Sequence, residues 1–487
     1  MQEVTLNPRS IQDLTVVVDQ EQIDRLVDEV APRMIEAFRG HGIINVNSTA
    51  SGGGVAEMLN VLLPLSKGAG VPTRWFVVEG DPVFFALTKR LHHRLHGNKG
   101  DDGELSTVEQ ALMAGVVARN APALLEEVTP QDVVILHDPQ PAPLAAMLAE
   151  RGIPVVWRCH VGIDQDNAYT EEAWSFLRGF LEGNVDTYVF TRASYAPSWI
   201  PPEKLRVIKP SIDPLAPKNQ ELSEADINGA LSGAGVIAGE GFGAASFTRS
   251  DGSTAPFTMT AEITRSGEPP SADVPLIVQV SRWDPLKDMA GVMRGFVTHV
   301  APNSDAHLAL VGPSTASVTD DPEGQIVLDE ITDEWRSLPH DVRDRVHLIS
   351  LPMDDPEQNG ALVNAIQRHA TIVVQKSLAE GFGLTVTEAM FKGRPVIASA
   401  VGGITDQIDD QVSGLLISDP RDLEAFGRAV MQVLNDPALA ERLGAAARQR
   451  AIDVFLPDTS LDLWNEAVLS ALEATQAAQA DSAEGAD

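Results

Sequence analysis

The chain contains one cysteine, Cys159, in 487 residues. An intrachain disulfide is therefore excluded, and a reducing cytoplasm fits. No run of about 18 apolar residues, the length that crosses a bilayer, occurs anywhere. The opening MQEVTLNPRS has no basic region followed by an apolar one, so no signal peptide is expected. Basic residues are scarce: 36 Lys and Arg face 69 Asp and Glu, a formal net charge of −33. Such a surface repels nucleic acid and anionic membranes, and neither is expected as a partner. The acidity fits plain solubility or salt adaptation. His/Cys zinc spacing, a G-x-S-x-G elbow and G-x-G-x-x-G are all missing. An anionic substrate would need a local positive site, and with only nine lysines in the chain each one inside a motif is informative.

What is present is a rhythm of strands and helices long enough for two or three domains. Residues 1–35 read as a helical lead-in, with Ile23, Leu26, Val27 and Val30 at helical spacing. From 36 to 215, apolar runs at 42–47, 73–78, 132–136, 155–158 and 187–190 read as buried strands. Helical patterns at 55–65, 143–150 and 171–181 lie between them. Strands alternating with helices imply a parallel sheet covered on both faces. Residues 216–272 are rich in Gly, Ser, Ala, Thr and Glu and read as an insertion or linker, with short strands in 245–263. The alternation resumes over 273–455. A helix at 456–474 is expected to return to the first domain, and 475–487, rich in Ala, Asp, Glu and Ser, to be a disordered acidic tail.

The most informative stretch is Glu380-Gly381-Phe382-Gly383-Leu384-Thr385-Val386-Thr387-Glu388, between the strand 371–374 and a helix opening near Thr385. Backbone N–H groups of the glycine turn and of the helix N-terminus suit a diphosphate. Glu388, expected in the first helical turn, can accept from ribose hydroxyls, and Glu380 can hold a sugar. Thr385 and Glu388 equally read as a capping box that only closes the helix end. A second Glu-Gly-Phe-Gly at 240–243 lacks the later carboxylate and reads as linker. In Ser281-Arg282-Trp283-Asp284-Pro285-Leu286-Lys287, Arg282 and Lys287 are five apart across a turn, so both can reach one diphosphate. Arg282 paired with Asp284, or both as solvated surface cations, is the alternative.

In the first half, Ser51-Gly52-Gly53-Gly54 lets backbone approach phosphate or sugar, or is merely a tight turn. His137-Asp138-Pro139-Gln140-Pro141 ends a strand, so Asp138 and Gln140 can meet sugar hydroxyls, or form an Asp–Pro turn. His160, in Trp157-Arg158-Cys159-His160, can donate to a sugar hydroxyl or a leaving group, or be structural. Asp164-Gln165-Asp166 matches a metal-binding D-x-D, a pattern frequent by chance, and no metal site is expected.

Together these residues resemble the retaining, two-domain GT-B glycosyltransferases of family four. S-R-W-D-P-L-K, E-G-F-G-L-T-V-T-E-A-M and G-R-P-V-I-A-S-A-V-G-G-I carry the likeness in the second half. V-N-S-T-A-S-G-G-G-V-A-E, H-D-P-Q-P, W-R-C-H and P-S-I-D-P in the first half look like the trehalose glycosyltransferring synthases. The resemblance covers about 40–215 and 273–470. It implies two Rossmann-like, doubly wound α/β domains facing across a cleft. It implies transfer of glucose from a nucleoside diphosphate glucose to free glucose, giving α,α-trehalose with retention. By that resemblance Arg282 and Lys287 bind the diphosphate, Glu388 the ribose and Glu380 the donor glucose. Backbone at Gly381, Phe382, Gly383, Leu384, Gly53 and Gly54 contacts phosphate and sugar. His160 lies near the reacting centre, and Asp138 and Gln140 seat the acceptor. No cofactor is called for, Mg2+ acting only through the nucleotide, and a homodimer stays open. A retaining trehalose phosphorylase and a catalytically silent nucleotide-sugar-binding protein are the alternatives.

Overall fold

Residues 1–51, 53–239, 245–315 and 322–484 are described by the structure, a computed structural model. The chain divides into two units, Met1–Ser211 with Phe455 onward, and Ile212–Val454. In the first unit the strands β1 (Gln2–Glu3), β2 (Ile43–Asn47), β3 (Thr73–Val77), β4 (Val133–His137), β5 (Val155–Cys159), β6 (Thr187–Phe190) and β7 (Leu205–Val207) form one sheet. Their order is β1-β3-β2-β4-β5-β6-β7, parallel except for β1. β2, β4, β5 and β6 are buried along their whole length, as strands covered on both faces must be, which is why they read as continuous apolar runs. Trp157 anchors this core, edge-on to Trp174, Tyr188 and Phe190.

The second unit holds β8 (Ser246–Thr248), β9 (Thr254–Pro256), β10 (Glu262–Thr264), β11 (Leu276–Val280), β12 (His307–Pro313), β13 (Val346–Leu351), β14 (Ile372–Gln375), β15 (Val396–Ser399) and β16 (Leu415–Ile417). Its main sheet runs β10-β13-β12-β11-β14-β15-β16, parallel except for β10. In both sheets the winding reverses once, between β2 and β4 and between β11 and β14. Doubly wound sheets bind ligands at the carboxyl ends of the strands flanking such a reversal.

Residues 216–272, read from composition as an insertion or linker, belong to the second unit. They supply the helix Glu224–Gly233, the β8–β9 hairpin and the edge strand β10. Leu231, Val236, Phe247 and Phe257 are buried there, a small core that the surrounding Gly and Ser disguise in the sequence. The repeat at 240–243 lies outside the described residues, as does Gly52. After Val454 the chain rejoins the first unit as the helix Pro457–Glu484, packed on β4, β5 and β6. Composition suggests disorder from 475, yet the helix continues to Glu484, since Ala, Gln and Glu are good helix formers. The helices Pro82–Leu95 and Thr107–Leu125 are absent from the sequence reading.

Two helical glycines test the packing with opposite signs. Replacing glycine by alanine inside a helix gains roughly 1 kcal/mol from propensity alone. At Gly115, in Thr107–Leu125, the nearest atom to a new Cβ is the Arg119 guanidinium at 3.9 Å. At Gly444, in Pro437–Val454, the carbonyl oxygen of Gly393 is 2.3 Å away. Gly115→Ala is expected to stabilise and Gly444→Ala to destabilise by roughly 1–3 kcal/mol, by urea unfolding. A stabilised Gly444→Ala contradicts the close approach of these segments.

Candidate active site

The loop after β11 is set by a tryptophan. Trp283 is buried, and its indole N–H donates to the Pro313 carbonyl at 2.8 Å. Gly312 faces it closely: a Cβ there would lie 2.5 Å from the ring. Asp284 accepts the Leu286 N–H (2.8 Å) and so shapes the short turn Pro285–Lys287. The Gln279 amide donates to the Lys287 carbonyl (2.7 Å), and Leu378 N–H to that of Leu286 (2.8 Å), joining this loop to the one after β14. The Lys287 ammonium then meets Glu380 at 2.6 Å, both side chains mostly buried. Next to it Asp288, at φ 46°, accepts from the wholly buried Lys376 and caps Gly291. Arg282 points outward, 66% exposed, and pairs with Asp284 at 3.2 Å. Of the two cations expected at one diphosphate, Lys287 lies on Glu380 and Arg282 on Asp284.

The turn Gly381–Gly383 enters the helix Leu384–Phe391 through Gly383, at φ 87°. No side chain caps that helix. Thr385 Oγ1 donates instead to Gln375 at 3.3 Å, so the capping-box alternative is overturned. Glu388 stands in the second turn rather than the first, nearly buried, and bonds Lys218 at 2.8 Å. The turn is held by Gly403, whose N–H reaches the Gly381 carbonyl at 3.2 Å, and by the Gln407 amide on the Phe382 carbonyl. A Cβ at Gly403 would sit 2.7 Å from Phe382 Cα, which explains the glycine pair after β15.

The first unit repeats the device. Gly53, at φ 83°, opens the helix Gly54–Gly68 with no side-chain cap. Asp138 leaves β4 at φ 65°, and its buried carboxylate accepts the His160 N–H at 2.7 Å. Burial pushes that carboxyl up to about 7. Gln140 lies beside His92, amide to ring nitrogen 3.4 Å. The histidines form a directed chain. Arg158 only donates, so His160 Nδ1 accepts from its Nε (3.4 Å) and the ring proton resides on Nε2. That proton goes to His137 Nδ1 (3.2 Å), and His137 Nε2–H to Asn45 Oδ1 (3.0 Å). Both ring nitrogens of His160 are thus engaged inside the unit. The remaining Asn45 Nδ2 and Arg158 Nη1 are buried without a hydrogen-bond partner among the described residues. Asp164 is salt-bridged to Arg192. Cys159 is buried and its thiol is pushed up by that burial, which makes it a poor nucleophile.

Sequence reading missed Lys218, Lys376, Asp288, Asn45 and the link from His137 to His160. Lysine scarcity, the signal that drew attention to Lys287, applies equally to Lys376 and Lys218.

Burial, and then the Arg158 charge, hold His137 near 3, so it is neutral in the folded protein. A depressed histidine contributes stability that is present above the unfolded value near 6.5 and lost as pH falls towards the folded one. Asp138, raised, works the other way between its unfolded value and about 7. The two nearly cancel in the wild type, so a difference is the useful readout. Relative to His137→Asn, the wild-type advantage in unfolding free energy is expected to shrink by about 1.4 kcal/mol per pH unit between pH 6 and 4. A constant gap contradicts the neutral ring.

The chain is similar to known proteins over most of its length. The family described as "Trehalose synthase, N-terminal domain" matches residues 45–197, and "Glycosyl transferases group 1" matches 262–450. The trehalose synthase of Pyrococcus horikoshii is 32% identical, over 94% of this chain and 95% of its own. The trehalose phosphorylase of Pleurotus pulmonarius is 28% identical, over 84% of this chain and 54% of its own. Among solved structures, the α,α-trehalose 6-phosphate synthase of Burkholderia multivorans superposes with a TM-score of 0.63 at 16% identity, over 91% and 98% of the two chains. The chain therefore belongs to the trehalose synthase family of hexosyltransferases, with the GT-B fold.

Proposed function

We propose that the enzyme moves glucose from a nucleoside diphosphate glucose to free glucose, with retention, and so forms α,α-trehalose. The observation that supports this most is the Lys287–Glu380 pair beside an uncapped, glycine-opened helix at the winding reversal of the second sheet. It offers a cation for a diphosphate and a carboxylate for sugar hydroxyls. The full-length match to a trehalose synthase, against half the length of the phosphorylase, favours a nucleotide donor over glucose 1-phosphate.

In this reading the diphosphate draws Lys287 away from Glu380, which frees the carboxylate for the donor glucose. Arg282, long and exposed, swings from Asp284 to the phosphates. Gly381, Phe382, Gly383 and Leu384 offer backbone N–H groups, as do Gly53 and Gly54. Glu388 takes the ribose. His160 turns its Nε2–H hydrogen bond from His137 to a donor hydroxyl, keeping the proton, and Asp138 and Gln140 serve the acceptor. The bond from C1 to the leaving phosphate oxygen breaks as the acceptor hydroxyl bonds C1 from the same face. The departing diphosphate takes the hydroxyl proton. Lys287, Arg282 and the helix N-terminus stabilise the charge growing on that oxygen. No protein nucleophile takes part. Mg2+ acts through the nucleotide and has no protein ligand assigned.

Glucose incubated with uridine, adenosine and guanosine diphosphate glucose in turn should give a non-reducing disaccharide with both anomeric carbons linked, read by NMR. Trehalose cleaved only with orthophosphate, yielding glucose 1-phosphate, would establish the phosphorylase instead. Lys287→Ala should lower turnover by about 10²–10³, the typical effect of losing one oxyanion donor. Near-normal turnover of that variant would remove Lys287 from the mechanism.

A further inference from the structure

Residues 217–221 are fastened to the second unit by polar groups that do not involve the Lys218 side chain. The Asn364 amide donates to the carbonyls of Pro217 (3.1 Å) and Gln220 (2.7 Å). Arg368 donates to the carbonyls of Asn219 and Gln220, both at 3.1 Å, and to the Glu221 carboxylate at 2.6 Å. Asn219 is wholly buried, its oxygen accepting from Lys392 at 3.0 Å. Gly360 lets the helix Pro356–His369 pass close beneath, for a Cβ there would come within 3.2 Å of Lys218 Cβ. This mount brings the Lys218 ammonium to Glu388 Oε1, 2.8 Å away.

The ion pair is therefore not what keeps the strand of chain in place. Its effect falls on Glu388, whose side chain is 4% exposed while that of Lys218 is 30% exposed. A carboxylate so enclosed and left without that partner would turn away to find another, and would then no longer face the ribose. We infer that Lys218 is a positioning residue for the nucleotide: it holds the Glu388 carboxylate oriented so that it can accept from the two ribose hydroxyls. This rests on the nucleotide-donor reading above.

Calorimetry on the full chain tests it, with whichever of UDP, ADP and GDP the wild type binds and with the 2′,3′-dideoxy form of the same nucleotide. Lys218→Met should bind the ribonucleotide about tenfold more weakly, in the range of a hydrogen bond to a charged group. The loss should vanish with the dideoxy form, which has no hydroxyls for Glu388, and Lys218→Arg should restore most of it. Lys218→Gln supplies the same comparison should the methionine variant fail to fold. Equal affinity of variant and wild type for the ribonucleotide overturns the inference while leaving the donor reading intact. So does a loss of the same size with the dideoxy form, which marks a structural role. A wild type that binds none of the three nucleotides overturns both.

Discussion

A charge enclosed by protein must have its opposite close by, and that constraint organises the carboxyl edge of the second sheet. Three of the nine lysines are committed there: Lys287 to Glu380, Lys376 to Asp288 and Lys218 to Glu388. A fourth, Lys392, reaches the Glu388 carbonyl at 3.2 Å, and burial lowers its ammonium to about 7. In a chain of net charge −33 this is a local concentration of lysines, each of the first three balanced by a carboxylate, set where the sheet reverses its winding. Each of these carboxylates has a lysine ammonium in contact with it. In the proposed reaction a diphosphate would exchange one partner for another there and need not strip an ion bare.

The two units solve the backbone half of the problem alike. Each places a left-handed glycine, Gly53 or Gly383, at the mouth of a helix beside the reversal point, and neither helix start is capped by a side chain. They differ in side chains. The second unit is built on ion pairs, the first on a directed hydrogen-bond chain that runs from the Arg158 guanidinium through the neutral rings of His160 and His137 to Asn45.

Much of this was legible in the sequence because the informative residues are neighbours in it. Arg282 to Lys287, and Glu380 to Glu388, each lie within one loop and its flanks, and apolar runs mark the strands that end at them. The roles of partners were not legible. Lys218 meets Glu388 across 170 residues, from a stretch whose Gly and Ser content hides its structure. Asn45 and His137 are 92 residues apart and meet only because β2 and β4 are neighbours. The capping-box reading of Thr385 and Glu388 failed because Gln375 and Lys218 claim those side chains. Residues 475–484 read as disordered tail because their Ala, Gln and Glu suit a helix as well as disorder.

The most direct test is a crystal structure of the enzyme with a nucleoside diphosphate bound. The account predicts phosphate oxygens within hydrogen-bond reach of Lys287, the ribose on Glu388 with Lys218 still in contact, and Glu380 released from Lys287. A nucleotide seated elsewhere, with the Lys287–Glu380 pair undisturbed, would contradict it.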